Sequence, residues 1–404
     1  MAEIGKNRHL SLLAVIGFGL LTCVLYGIGS GLRSDIGILL EPLAAQCQIS
    51  YASVSFCIAV MQLVFGASQP VFGIIAARRS NRLILFLGAG FLAASFLGMM
   101  FSRSFIGLFF SLSILFGLGA GALSFGLILT SAIYFVGKHN AMIVAGMLNA
   151  SAGMCGFFLS PGMQALLNLG GTSLTMEVLL IPIAALIPIS IFVTSRDPKR
   201  EETATAEEGP SLANLKAAFH NRVYLFTLAG FSTCGFHMVI IEAHLFPQFI
   251  SYGLAAQAAS WAFSVYGLAT IVGALLSGYL STRLKKGRLL SFYYGFRAVW
   301  SIIYLFFLPK NMVTAILFAI GLGMTGDATV SPTSGLVSDN FNIKEVATLM
   351  GILFLFHQFG AFLSAWLGGV LLQLTGGYTV IWCLDMAVCL FASCMSYQID
   401  RVRE

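Results

Sequence analysis

Twelve apolar runs, each close to 20 residues or longer, fill most of the chain, at approximately 11–40, 51–77, 83–102, 105–136, 140–168, 175–195, 221–250, 256–282, 288–308, 311–336, 345–373 and 377–397. About 20 apolar residues is the length a helix needs to cross a hydrocarbon core of about 30 Å. Only 9% of the 404 residues are charged and 58% are hydrophobic, too few charges to clothe a water-soluble globule of this size. The expected fold is an all-α membrane protein with twelve transmembrane helices.

The runs repeat. Gly73-Ile-Ile-Ala-Ala-Arg78-Arg79-Ser-Asn-Arg82 and Gly278-Tyr-Leu-Ser-Thr-Arg283-Leu-Lys285-Lys286-Gly-Arg288 carry one pattern at an offset of 205 residues, an offset that Ser55 and Ser260, and Val60 and Val265, also keep. A duplicated helical unit predicts two pseudo-symmetric six-helix bundles, the commonest ground plan of a secondary transporter. The extended polar segment from Arg196 to Arg222 divides them, giving bundles at 1–195 and 221–404 joined by a linker at 196–220. Within it, Ser211 to Phe219 reads either as a short interfacial helix or as a solvated connection.

Loop charges set the orientation, because Lys and Arg are retained on the cytoplasmic side during insertion. With a cytoplasmic N-terminus, eighteen of the 22 basic residues fall on that side, including Lys6, Arg8, Lys138, Lys199, Arg200, Lys344 and Arg403. Arg103 and Lys310 fall on the other side, and Arg33 and Arg297 lie inside helices. Both termini are therefore expected in the cytoplasm, and the +6 net charge reflects this asymmetry rather than nucleic-acid binding. The first run lacks a small-residue cleavage site and reads as a helix, not a removed signal. The eight cysteines show neither metal spacing nor a disulfide framework and read as small core residues.

At the two Gly-to-basic loops the chain resembles the major facilitator superfamily over nearly its whole length. That family's loop usually reads Gly-x-Leu-Ala-Asp-Arg-x-Gly-Arg; Ala77 stands at its Asp, and Thr282 at the echo in the second half. A finer resemblance, to monocarboxylate porters and their bacterial relatives, lies in Gly31-Leu-Arg33-Ser-Asp35 through Glu41-Pro42, where Arg33 and Glu41 keep the family's eight-residue spacing. Cys234-Gly-Phe-His237, His244-Leu and Phe356-His357-Gln358 add to it. Animal members carry an Asp and an Arg on helix 8 where this chain has Thr270 and Ala274, so their proton mechanism does not transfer unchanged. The resemblance implies a monomeric carrier in a bacterial inner membrane whose helices 1, 4, 7 and 10 line a central cavity.

A cation in the hydrocarbon region is costly, so Arg33 is expected to face a partner or a water-filled cavity. Its guanidinium makes paired bonds to a planar carboxylate, which suits an organic anion arriving as cargo. The bland alternatives are a permanent salt bridge to Asp35 or to another helix, or a reach to the outer surface. Asp35 lies about 200° around the helix from Arg33, so direct pairing is awkward, and Asp35 stands as a protonation site or a bond to a neighbouring helix.

His237 and His244, seven residues apart, share a helix face and can bind anions or pass protons; bonds to backbone carbonyls are the alternative. Their separation of about 10 Å along the helix argues against a shared metal. Asp327 sits in helix 10 between Gly321-Leu-Gly-Met-Thr-Gly326 and Ser331-Pro-Thr-Ser-Gly335, residues that permit an irregular helix, and is the leading proton-coupling acid. His357 and Gln358 on helix 11, Tyr266 on helix 8 and Asn149 on helix 5 are further substrate-binding candidates. Glu242 is expected to reach water at the outer end of helix 7, and Arg297 to pair structurally with Asp385.

Small residues at Gly117, Gly119 and Gly121, and at Gly146, Ala150 and Gly153, read as close helix packing. The chain has no Walker loop, zinc signature or nucleophile elbow, so neither an enzyme nor a cofactor is expected. The expectation is proton-coupled transport of a small organic anion, a monocarboxylate by resemblance, through alternating access. An exporter of hydrophobic or cationic compounds is the rival, kept alive by 35 Phe residues and the buried acids. A non-transporting sensor is more remote.

Overall fold

The computed structural model describes residues 11–197, 216–341 and 343–403. Lys6, Arg8, Lys199, Arg200 and most of the expected linker, including residues 211–215 of the expected interfacial helix, lie outside the described residues. Helices account for the regular structure throughout the described residues.

Eleven helices are long and apolar enough to cross a membrane. One of them, Ile143–Val193, runs 51 residues, which would be about 76 Å at 1.5 Å per residue. It is two crossings, because helical geometry is lost at Gly170 and at Gly171, where φ is +66°. The twelve crossings are then α1 (Leu12–Ser34), α2 (Tyr51–Arg78), α3 (Asn81–Phe101), α4 (Phe105–Gly137), α5 (138–169) and α6 (172–193). After the linker come α7 (Arg222–Ser251), α8 (Ala256–Ser281), α9 (Lys286–Phe307), α10 (Met312–Asn340), α11 (Ile343–Thr375) and α12 (Thr379–Arg403).

Local chemistry sets these boundaries. Ser50, Ser80 and Ser104 accept from backbone N–H groups in the first turns of α2, α3 and α4, and Asn221 and Asn311 do so for α7 and α10. Each supplies an acceptor to N–H groups that have no partner inside the helix. At the opposite ends of α3 and α9, which correspond in the repeat, Arg103 donates to the carbonyls of Met100 and Ser102, and Lys310 to those of Tyr304, Leu305 and Leu308.

The first six crossings pack on the last six through two matched contacts, α2 with α11 and α5 with α8. Small residues bring the backbones close. A Cβ added to Gly153 of α5 would stand 2.2 Å from the carbonyl oxygen of Gly267 in α8, so only glycine permits that approach. Gly117, Gly119 and Gly121 likewise press on α2 and α3, as expected, whereas Gly146 faces open space. All eight cysteines are free, and Cys383 and Cys394 are exposed rather than in the core.

Several of the crossings leave regular α geometry, α9 among them with a π turn over Ile303–Phe307. α1 ends in a 3-10 turn over Ile36–Leu39 leading into a short helix, α7 widens to a π turn over Ile241–Leu245, α10 breaks at Gly326 into a 3-10 turn over Asp327–Thr329, and α4 is interrupted at Leu123–Ser124. Such breaks are tolerated at membrane depth where protein or a water-filled space satisfies the freed backbone.

Candidate functional site

At the level of three of these breaks lies a cavity of about 100 Å³, walled by α1, α5, α7, α8 and α10. Arg33, Asp35, Glu242, Tyr266 and Asp327 all contribute to its wall.

Its centre is an ion pair joining the two halves. The Arg33 guanidinium donates from Nη1 to Glu242 Oε2 at 2.7 Å and from Nη2 to Glu242 Oε1 at 3.0 Å. Gln62 of α2 serves both partners, accepting from Arg33 at 3.1 Å and donating to Glu242 at 3.1 Å. The Phe65 ring lies 5.0 Å from the guanidinium carbon. Glu242 is 3% exposed and Arg33 17%, so Glu242 does not reach water as its place near the helix end suggested. This paired, fork-like geometry is the strong form of a charge-assisted bond, yet burying both charges cancels much of the gain.

The helix breaks put Glu242 there. Pro247 has no N–H, so the Ala243 carbonyl four residues earlier lacks its helical partner, and the π turn occupies this stretch. Gly37 of the α1 turn lies on the same carbonyls: an added Cβ would stand 2.5 Å from the Glu242 oxygen and 2.7 Å from that of Ala243. This contact is a thin wall. Beyond it, at the end of the bundle away from the termini, a second cavity of about 690 Å³ is lined by Gly37, Glu41, Arg103, Gln164, Asn168 and Phe246, among others.

Asp35 was expected on the opposite side of the helix from Arg33, yet both line the cavity. The regular helix stops at Ser34, and Asp35 begins the 3-10 turn with φ −96° and ψ 11°. Asp35 is 3% exposed, and its Oδ2 is buried with no hydrogen-bond partner. Asp327 opens the 3-10 turn at the α10 break, and the Tyr266 hydroxyl meets Met238 Sδ at 3.5 Å.

Other sequence candidates lie away from this wall. His237 is fully buried against α12, its Nδ1 2.8 Å from Asp385 Oδ2. His244 bridges the Tyr51 hydroxyl at 2.9 Å and the Ala365 carbonyl at 3.1 Å, an arrangement that a neutral imidazole satisfies. His357 lies against Phe231, ring centroids 4.9 Å apart, with Nδ1 buried and unpartnered. Gln358 packs on Gly66 of α2, and Asn149 is exposed on α5.

Arg297 does not take Asp385 as its partner, because His237 occupies that acid. Instead Arg297 donates from Nη2 to the carbonyls of Thr325 and Gly326, at 2.5 and 2.8 Å, satisfying oxygens freed by the α10 break, and from Nη1 to Cys234 Sγ at 3.4 Å. His237, Asp385 and Cys389 bring three ligand-type atoms within 4.8 Å of one another. The nearby guanidinium makes that spot unfavourable for a cation.

Sequence reasoning did not place Glu242 and Gln62 in one site with Arg33, nor Ser34, whose hydroxyl donates to Glu242 Oε1 at 3.5 Å. Charge matching pointed that way: Arg33 and Arg297 are the two bases inside crossings, and Glu242 is an acid flanked by apolar residues.

Comparison with known proteins agrees with this architecture. The description Major Facilitator Superfamily matches residues 18–334 and 243–401. An uncharacterized MFS-type transporter, YcxA of Bacillus subtilis (strain 168), is 26% identical over 396 residues, covering 95% of this chain and 94% of its own. Monocarboxylate transporter 12-B of Danio rerio is 26% identical over 374 residues, covering 83% of this chain and 76% of its own. A crystal structure of a mutant of the nucleoside transporter NupG superposes with a TM-score of 0.75 at 14% identity, covering 95% of this chain and 99% of that one, a likeness of fold alone.

Proposed function

Because the chain belongs to the major facilitator superfamily, a family of membrane transporters rather than enzymes, we propose that it is a proton-coupled carrier of a small organic acid whose carboxylate competes with Glu242 for Arg33. The observation that carries this reading is the paired Arg33–Glu242 contact in the wall of a central cavity. A free guanidinium would bind an anion without any need for a proton. A guanidinium already held by a carboxylate links the two events: a proton on Glu242 weakens the pair, and the incoming carboxylate takes the vacated fork.

The six-helix halves, 1–195 and 221–404, then move against one another. By the loop charges the end carrying Gly37 and the larger cavity faces outward, and both termini face the cytoplasm of a bacterial cell. With Gly37 seated on the Glu242 and Ala243 carbonyls, the outer side is closed; breaking the Arg33–Glu242 pair releases one of the bonds that hold it so. Asp327, across the cavity, is the second acid placed to exchange a proton. The cavity volume of about 100 Å³, comparable with roughly three water molecules at about 30 Å³ each, restricts the solute to a small one. The similarity to monocarboxylate transporters points the same way.

A second reading, proton-driven export of organic cations, is favoured by one specific observation: three carboxyl groups and one guanidinium line the cavity. Proteoliposomes separate the two. With an acid exterior, labelled lactate, pyruvate or another small organic acid accumulates under the carrier reading and collapses with a protonophore. Cation-driven proton release without organic-acid uptake would favour the exporter.

A further inference from the structure

We propose that the carried solute bears a cationic nitrogen group beside its carboxylate, as a small amino acid does, and that Asp35 receives that group. This rests on the reading that Arg33 takes the carboxylate. The charges facing the cavity are Arg33 on one side of the balance and Asp35, Glu242 and Asp327 on the other. Glu242 already answers the guanidinium, with Gln62 bonded to both.

Asp35 is not answered in this way. It is 3% exposed, and Oδ2 is buried without a hydrogen-bond partner. A buried polar atom without a partner is costly and is satisfied when a donor arrives. Gly156 of α5 faces this carboxyl without a side chain, and an added Cβ would stand at ordinary contact distance, 3.4 Å, from Asp35 Oδ1.

A plain carboxylate solute would bring one more negative group into this wall and leave Oδ2 unsatisfied. A zwitterion brings a carboxylate for Arg33, an N–H donor for Asp35 and no net charge. The small cavity limits the side chain to a methyl group or little more.

The test is ligand binding to the purified full-length protein in nanodiscs, comparing propionate, lactate, L-alanine and propylamine, which share a three-carbon frame. L-Alanine is expected to bind at least about tenfold more tightly than propionate, since a hydrogen bond to a charged group contributes about that factor or more. Lactate should fall between them, and propylamine should bind more weakly than L-alanine. Asp35→Asn should remove the advantage of L-alanine by weakening L-alanine binding, while propionate, relieved of a like charge, binds at least as tightly as before. Gly156→Ala, which places a methyl group against the same carboxyl and takes space beside it, should weaken L-alanine more than propionate and stands in if Asp35→Asn does not fold.

Propionate binding as tightly as L-alanine to the unmodified protein, or Asp35→Asn weakening both equally, would overturn the Asp35 assignment and leave the carboxylate reading standing. Propylamine binding as tightly as L-alanine, with the carboxylate contributing nothing, would sink the carboxylate reading itself.

Discussion

Two arginines lie inside the apolar body of this protein, and they are held in opposite ways. Arg297 is fully buried, and its bonds to Thr325, Gly326 and Cys234 all lie within the last six crossings. Those partners are mostly neutral carbonyls freed by the α10 break, so nothing in a movement between the halves would disturb them. Arg33 is partly exposed to a cavity and is bonded across the halves to an acid on α7. A bond across a moving interface must break in every cycle, and a bond within one body must not. The same division separates the acids: Asp385 is paired with His237 inside the last six crossings, whereas Asp35 and Asp327 face the cavity.

The comparison breaks most directly at Arg33. Truncating one partner of a buried charged pair costs about 2–5 kcal/mol, roughly 30-fold to several thousand-fold in binding, so Arg33→Ala should abolish organic-acid uptake while the protein still elutes as a single species on gel filtration. Retained uptake would remove Arg33 from the site. Arg297→Met should do the reverse. It leaves two carbonyl oxygens buried without donors, at about 1–3 kcal/mol each, read as a large fall in melting temperature, with the solute affinity of surviving protein nearly unchanged.

Gly37→Leu tests the wall between the cavities. A side chain there collides with two backbone carbonyls that cannot swing away, so the halves should fail to close at that end. Uptake should fall on the order of 100-fold, the scale associated with a misplacement of about 1 Å, while hydrogen exchange in residues 36–47 and 241–251 speeds up. Normal uptake with unchanged exchange would mean that the contact is not part of the cycle. The smallest effect is expected at Gln62→Leu, which removes one hydrogen bond from each charged partner but leaves the pair itself in place. A loss of about 1.5 kcal/mol, the low end for a bond to a charged group and roughly 13-fold, should appear in apparent affinity.

The crossings were legible because their limits are local: Ser50, Ser80, Asn221 and Asn311 cap helices wherever they stand, and hydrocarbon length fixes the runs between them. Even the merged span over Ile143–Val193 carried its own correction in Gly170-Gly171. The side-chain network was less legible, because a helical period says which residues share a face and not what that face meets. His237 and His244, seven residues apart, meet different neighbours, α12 for one and Tyr51 and α11 for the other. Glu242 was misplaced because its depth depends on the π turn before Pro247 and on the α1 turn that lies against it. Asp35 enters the cavity for a related reason: the angle expected from a continuous helix no longer applies once α1 gives way to a 3-10 turn.

The central claim is that a proton on Glu242 frees Arg33 for the solute's carboxylate. Glu242→Gln keeps the shape and the hydrogen-bonding capacity of that side chain but removes its charge and its proton exchange, so the direct measurement is transport by this variant in proteoliposomes, with and without a pH gradient. The account predicts that labelled solute still exchanges against unlabelled solute while gradient-driven accumulation is lost. Accumulation that follows the gradient as in the unmodified protein would contradict it.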